Sequence, residues 1–544
     1  MSNTLENMPF VKDSSRRSFI KMAGAMGAAA AFTASLAACS GPASTTSQKT
    51  GSANGGKIDK NATIQAGTAF VLSGGFDPMN ASSAVATAAN YHIFEGLVEL
   101  DPVDRTPYPA LASEAPKQVD DLTWRATLRK GATFHNGSKV TTDDVVYSFT
   151  RVLDPANTAL LAQFIPFIAS VKAVDASTVE FKLNKPFPLF GTRISVVKVV
   201  PKAIASADQK GFDAKPVGTG PYAFVSVTPN DNVAFKRFDA YNGPRPALAA
   251  AMTWYMLADN SARTTAIQSG RVQAVEAVPY LDIDAVKAKA EVKSVPSFNS
   301  MFLMFNCAKA PFNDVRVRQA LFYALDVEKI VKTALLGNGT PATNYVQDTH
   351  PDYKRAGTVY TYNPDKAKAL LKEAGQSNLS VELLTTTTAF ITDSVPLVKQ
   401  FWDAIGVKTT LNSQASANVY GNNFVGTGNF QVLAASGDPS IYGNDMDLLL
   451  SWFYAGTTWP KNRYHWDNTP EFAQVTKLLA QAAAEKDATK QKAAWNQVVD
   501  IVAENVPLYP LYHVSLPTAW NSSQLSGFRA LPTTGLSFEN VGRV

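Results

Sequence analysis

From residue 60 onward the chain alternates two kinds of pattern. Short runs in which apolar and polar residues take turns predict strands, and runs with apolar residues three and four apart predict amphipathic helices. Residues 123–134, TWRATLRKGATF, predict a hairpin with Trp124, Ala126 and Leu128 on one face and a turn at Lys130-Gly131. Residues 222–238, YAFVSVTPNDNVAFKRF, predict two strands about a Pro-Asn-Asp turn. Residues 141–153 predict a helix: Thr141 caps it, Asp143 and Asp144 suit its first turn, Arg151 suits its end, and Val145, Phe149 and Val152 form its stripe. Residues 363–375 carry Asn363 as a cap, Pro364 at the first position and Gly375 as a stop, with Ala367, Leu370, Leu371 and Ala374 as the buried face. A helix from Asn313 buries Val317, Ala320, Leu321 and Ala324 and leaves Arg316 and Gln319 outward. Further helices are predicted at 445–456, 472–484 and 493–504, and 506–513 reads as a buried strand whose prolines limit its pairing. The class is mixed α/β, with no sustained parallel βαβ rhythm and no internal repeat.

The first forty residues do not belong to that pattern. Arg16-Arg17 precede a weakly apolar stretch from Met22 to Ala34, and Leu36-Ala37-Ala38 precede Cys39. This is the layout of an export signal and is excluded from the fold. The run from Ser15 to Lys21 resembles a twin-arginine signal, and Leu-Ala-Ala-Cys resembles a bacterial lipobox, which makes Cys39 a lipidated tether. The Ser-, Thr- and Gly-rich residues 40–57 then form a flexible linker. If Cys39 is acylated, Cys307 has no partner for a disulfide, and its expected place is a buried, small apolar site.

Composition narrows the function. The 544 residues are 46% apolar and 17% charged, which describes a globular chain with ample core material. Net charge is +5, and the signal accounts for two of those charges, leaving a mild, scattered +3 that argues against nucleic acid. His92, His135, His350, His465 and His513 are dispersed without metal-ligand spacing, and no nucleophile elbow or phosphate loop occurs. GTGPYA at 218–223 matches a dinucleotide fingerprint by letters alone. It leads into a hairpin, whereas a pyrophosphate site needs a helix there. No cofactor and no catalytic group is predicted.

Several ordered stretches carry a family resemblance. YPALASEAPKQVDDLTWRATLRKGATFHNGSKVTTDDVVYSFTRVLDP (108–155), PVGTGPYAF (216–224), FNCAKAPFNDVRVRQALFYALDVEKI (305–330) and YNPDKAKALLKEAG (362–375) resemble the solute-binding proteins of peptide and nickel ABC importers, family 5. FDPMN with IFEGLVELDP fits the family's N-terminal strand and helix. The resemblance implies a two-lobed, type II periplasmic-binding-protein-like fold with an extra subdomain in lobe one. Lobe one would hold residues 58–105, 222–300 and 516–544, the inserted subdomain 106–221 and lobe two 301–515, with hinge crossings near Ser300 and Ser515. It implies a monomeric, membrane-tethered receptor outside the cytoplasm that captures oligopeptides by hinge closure and hands them to permease subunits with cytoplasmic ATPases.

For cargo, the resemblance implies contacts from Ala88, Ala89, Asn90 and Tyr91, from Glu276 and Tyr280, and from the loop Ala435, Ser436, Gly437 and Asp438. Phe302, Met304, Trp452 and Trp459 are expected to line side-chain pockets. Aligning the Asp438-Pro439 step puts Ala435 where peptide binders of the family keep an amine-binding aspartate, and the GTGNFQ run upstream lacks the expected carboxylate-binding arginine. Two cargo readings therefore stay open: a peptide with Asp438 as the substitute acid, or a metal chelate, haem or glycan.

Overall fold

The computed structural model describes residues 57–544, which belong to one compact unit. The expected export signal with Arg16 and Arg17, the lipidation residue Cys39 and the linker up to residue 56 lie outside the described residues.

An eleven-stranded sheet forms the spine. Its path runs through strands Lys408–Gln414, Ser380–Thr386, Val432–Gly437, Glu291–Phe305, Leu508–Trp520, Ala274–Val275, Thr63–Thr68, Ala251–Met256, Asn232–Arg237 and Tyr222–Thr228, and Gly339–Pro341 joins as a branch. The strands Glu291–Phe305 and Leu508–Trp520 lie side by side and cross from one half of the sheet to the other. Their outer stretch pairs Glu291 with Trp520, their inner stretch pairs Met304 with Leu508, and the register shifts between Pro296 and Ser300. The expected 506–513 strand is thus the start of a thirteen-residue central strand. Pro510 is accommodated because the register shifts a second time beside it, between Met301 and Phe302, where a missing N–H costs no regular ladder bond.

A separate four-stranded sheet joins Lys117–Asp120, Thr123–Thr127, Thr178–Leu183 and Ile168–Ala173. Here the predicted 123–134 hairpin is corrected. Thr123–Thr127 pairs with Lys117–Asp120 and Thr178–Leu183, while Ala132 and Phe134 turn back on Val140 and Ser138 in a small loop of their own. Gly131, at φ 77°, makes the break between them. The 222–238 hairpin forms as expected.

Local chemistry explains the helices. In Thr142–Leu153, Asp144 Oδ2 accepts the N–H of Thr141 at 2.9 Å while the Thr141 hydroxyl accepts that of Asp144, a complete capping box. Val145, Phe149 and Val152 are buried, at about 1.5–3 kcal/mol each relative to exposure. Arg151 turns inward and pairs with Asp77, both side chains buried. Pro364–Glu373 is capped by Asn363 Oδ1 on the N–H of Lys366 at 2.9 Å, and Gly375 leaves it at φ 70°. Its buried positions are Ala367 and Leu371, with Leu370 and Ala374 half-buried. The helix expected from Asn313 spans Val315–Tyr323 and is capped by Asp314, whose carboxylate accepts the N–H of Arg316. The two late helices start earlier than their apolar stripes imply, at Pro470 after a Thr469 cap and at Ala488 after an Asp487 cap. Cys307 is buried, as expected, and burial raises its thiol pKa to about 11.

Candidate ligand cleft

Helix Ala84–Ile93 starts at Ser83, whose hydroxyl accepts the N–H of Ala86, and it buries Val85, Ala86, Ala88 and Ala89. The remaining face presents Thr87, Asn90 and Tyr91 to a cavity of about 50 Å³. Across from them stand Ile441 and Tyr442, from the turn that follows strand Val432–Gly437, so the cavity lies between segments some 350 residues apart. Direct bonds join its two walls. The Tyr91 hydroxyl donates to the Ile441 carbonyl at 2.9 Å, and Arg105 Nη2 donates to the Ser440 carbonyl at 2.7 Å. Glu99 and Lys198 line the floor as an ion pair at 2.5 Å, and Glu99 also accepts the N–H of Gly96.

Arg105 is held at φ 62°, a left-handed conformation a non-glycine residue adopts reluctantly. The turn around it is fixed by Asp101, whose Oδ1 accepts the N–H groups of Val103 and Asp104 at 2.7 and 3.0 Å. Asp438 uses Oδ1 to accept the N–H and hydroxyl of Ser440. The residue as a whole is half-buried, yet its Oδ2 is withdrawn from solvent. Burial raises the Asp438 pKa to about 6, against the opposing pull of Ser440 and of the Arg105 charge. Burial likewise raises the Tyr91 hydroxyl.

Three polar atoms of this cleft are out of solvent without a hydrogen-bond partner: Asn90 Oδ1, Asp438 Oδ2 and Arg105 Nε. Each such group costs about 1–3 kcal/mol while it stays unpaired. Two acceptors and one cationic donor suit a ligand that brings an ammonium and an anionic group close together.

Of the residues expected at the site, Asn90 and Tyr91 reach the cavity and Asp438 stands beside it, while Ala88 and Ala89 pack inward. Glu276 is buried elsewhere, its carboxylate accepting the N–H groups of Ala69 and Gly535 at 3.0 and 2.6 Å, and so it ties chain segments together. The Tyr280 hydroxyl donates to the Ser515 carbonyl at 3.3 Å. Phe302, Met304 and Ala435 are fully buried on paired strands in the sheet core. Ser436 and Gly437 are half-buried, and Gly437 lies against the Phe453 ring. Trp459 is buried against Phe302 and Phe453 beneath the Arg463 guanidinium. Trp452 is half-buried and stacks on Phe164, 5.7 Å between ring centres. Sequence reasoning missed Glu99, Arg105, Lys198, Ile441 and Tyr442. The turn around Arg105 was signalled by Asp101-Pro102 and Thr106-Pro107, but nothing local marks it as reaching Ser440.

The model for bacterial extracellular solute-binding proteins, family 5, matches residues 106–474, more than half of the chain. The chain belongs to that family. It is a solute-binding protein of the peptide- and nickel-type ABC importers, with a ligand site and permease subunits as partners. The glutathione-binding protein GsiB of Escherichia coli (strain K12) is 28% identical over 494 residues, covering 89% of this chain and 94% of that one. Among solved structures, AgaA from A. tumefaciens R10 in complex with agropinic acid is 26% identical at a TM-score of 0.77, covering 89% and 99% of the two chains. The oligopeptide-binding protein AppA from Bacillus subtilis, 20% identical, aligns at a TM-score of 0.78 over 90% of this chain and 100% of its own. The fold of this family 5 chain is therefore the two-lobed, type II binding-protein fold. These relatives are binding proteins rather than enzymes.

Proposed function

We propose that this chain is a monomeric, lipid-tethered receptor outside the cytoplasm that captures short peptides or peptide-like zwitterions by hinge closure and performs no chemistry on them. Lobe one comprises 58–105, 222–300 and 516–544, the inserted subdomain 106–221 and lobe two 301–515, with the paired long strands flexing where their register shifts. The reading rests on one observation. Asp438 Oδ2 and Asn90 Oδ1 are free acceptors for an ammonium, and Arg105 Nε is a free donor for an anion, all in one cleft. Pairing these groups in a closed, water-poor cleft favours the closed form only as far as cargo binds it better than the open one.

A water needs on the order of 10–15 Å³ by the same measure, so a cavity of about 50 Å³ favours a compact anchoring end. The rest of a peptide then needs the lobes further apart. The glutathione binding of GsiB and the agropinic acid bound by AgaA fit compact cargo of this kind.

Mass spectrometry of small molecules released from the purified protein tests the cargo, and a peptide-like species with a free amine is expected. Recovery of only a metal chelate, haem or neutral glycan would overturn the peptide reading. For the tether, Cys39→Ala should move the protein from the membrane to the soluble fraction, and unchanged membrane association would refute it.

A further inference from the structure

A second contact set crosses the cleft without facing the cavity. Arg193, at the end of helix Phe190–Arg193, is buried, and its guanidinium serves two acids at once. Nε donates to Asp445 Oδ2 at 3.1 Å, Nη2 donates to Asp445 Oδ1 and, at 2.9 Å, to Asp447 Oδ2, and Nη1 donates to the Phe164 carbonyl at 3.1 Å. Phe164 and Arg193 bracket two strands of the four-stranded sheet in sequence, Ile168–Ala173 and Thr178–Leu183. Asp445 caps helix Met446–Tyr454 of the other wall, with Asp447 in its first turn. The Phe164 ring meets Tyr442 at 5.4 Å and Trp452 at 5.7 Å between ring centres. An ionic cluster and an aromatic stack thus join the same two segments, and Tyr442 belongs both to the stack and to the cavity wall.

We propose that Arg193, with Asp445 and Asp447, and Phe164, with Tyr442 and Trp452, form a latch that holds the cleft closed and positions Ile441 and Tyr442 for cargo. The inference rests on hinge closure but not on the identity of the cargo. The geometry is that of a two-state contact. When the lobes part, all three charged groups return to water. When they meet, the guanidinium satisfies both carboxylates and one carbonyl. Two acids on one guanidinium leave excess negative charge in a buried place, and burial accordingly raises the Asp447 carboxyl against the attraction of Arg193. Removing one side of such a buried cluster strands the other, so the open form gains.

The test uses single-molecule energy transfer between dyes at the exposed positions Val174 and Leu411 on cargo-stripped protein. The double variant D445N/D447N keeps a capping side chain at 445 and removes both charges. It is expected to lower the closed-to-open ratio by roughly tenfold or more, and to speed dissociation of the co-purified cargo with little change in its association rate. An unchanged ratio in a variant that melts like the wild type overturns the latch. If the double variant does not fold, R193M and D447N are compared singly and together, and independent, additive effects on the ratio overturn it equally. Loss of the peptide reading would leave the cargo-free distribution as it is, so the two ideas fail separately.

Discussion

If Asp438 holds the ammonium of the cargo, as proposed, it links proton concentration to capture. Its pKa of about 6 lies where a modest pH change alters its charge. An ammonium on the cargo needs the ionised carboxylate. At pH 7.5 about 97% of such a group is ionised and at pH 5 about 9%, so affinity for an amine-bearing cargo should fall about tenfold across that span, roughly 1.4 kcal/mol. The empty protein should respond with the opposite sign. The folded pKa is raised above the unfolded value, so the folded state holds a proton that the unfolded state has already lost. This contribution to stability is greatest below the unfolded pKa near 4 and is lost as pH rises to about 6. Because Asp438 is only half-buried as a residue, the amplitude should be about 1–2 kcal/mol. Titration calorimetry with the co-purified cargo between pH 5 and 8, beside thermal melts of the cargo-free protein, measures both. Asp438→Asn should bind weakly at every pH and flatten the profile. A wild-type affinity constant from pH 8 to 5, or an Asp438→Asn profile that still slopes like the wild type, would refute the reasoning.

Other expectations concern the frame. Arg151→Met leaves Asp77 as a buried charge without its partner and should cost about 3–5 kcal/mol, read as a lower midpoint in denaturant. Thr141→Ala removes half of a capping box and should cost about 1 kcal/mol in the same assay. Cys307 should resist a thiol reagent at pH 8 in the folded protein and react fully once unfolded, because burial keeps it protonated as well as covered. Ready reaction of the native protein would contradict that placement.

The legible parts of this molecule were those governed by neighbours in sequence. Thr141 with Asp144, and Asn363 with Pro364 and Gly375, specify helix ends through bonds that reach only a few residues, and both helices form where these residues say. The 123–134 hairpin failed because alternation specifies a strand but not its partner, and Thr178–Leu183, some fifty residues on, supplied a better one. Arg151 read as a charge at a helix end, and only the tertiary fold turns it toward Asp77. The cleft was legible in part for the same reason. Asn90, Tyr91 and Asp438 came from a resemblance to known receptors, whereas Arg105 and Lys198 act through contacts that no local pattern encodes. The large aromatic residues Phe302 and Trp459, expected in side-chain pockets, are buried against Phe453.

The glycines of the GTGPYA run bear on the cleft from behind. A side chain at Gly218 would meet the Ile93 carbonyl oxygen at 2.0 Å, and one at Gly220 would meet that of His92 at 2.2 Å. Those carbonyls close the helix that carries Asn90 and Tyr91, so the two bare backbone positions act as a backstop that sets how far its last turn stands from the opposite wall. Any bulk added there would have to push the end of that helix away, toward the candidate cavity. The spacing of the two walls is thus braced from a spot outside the lining of the cavity.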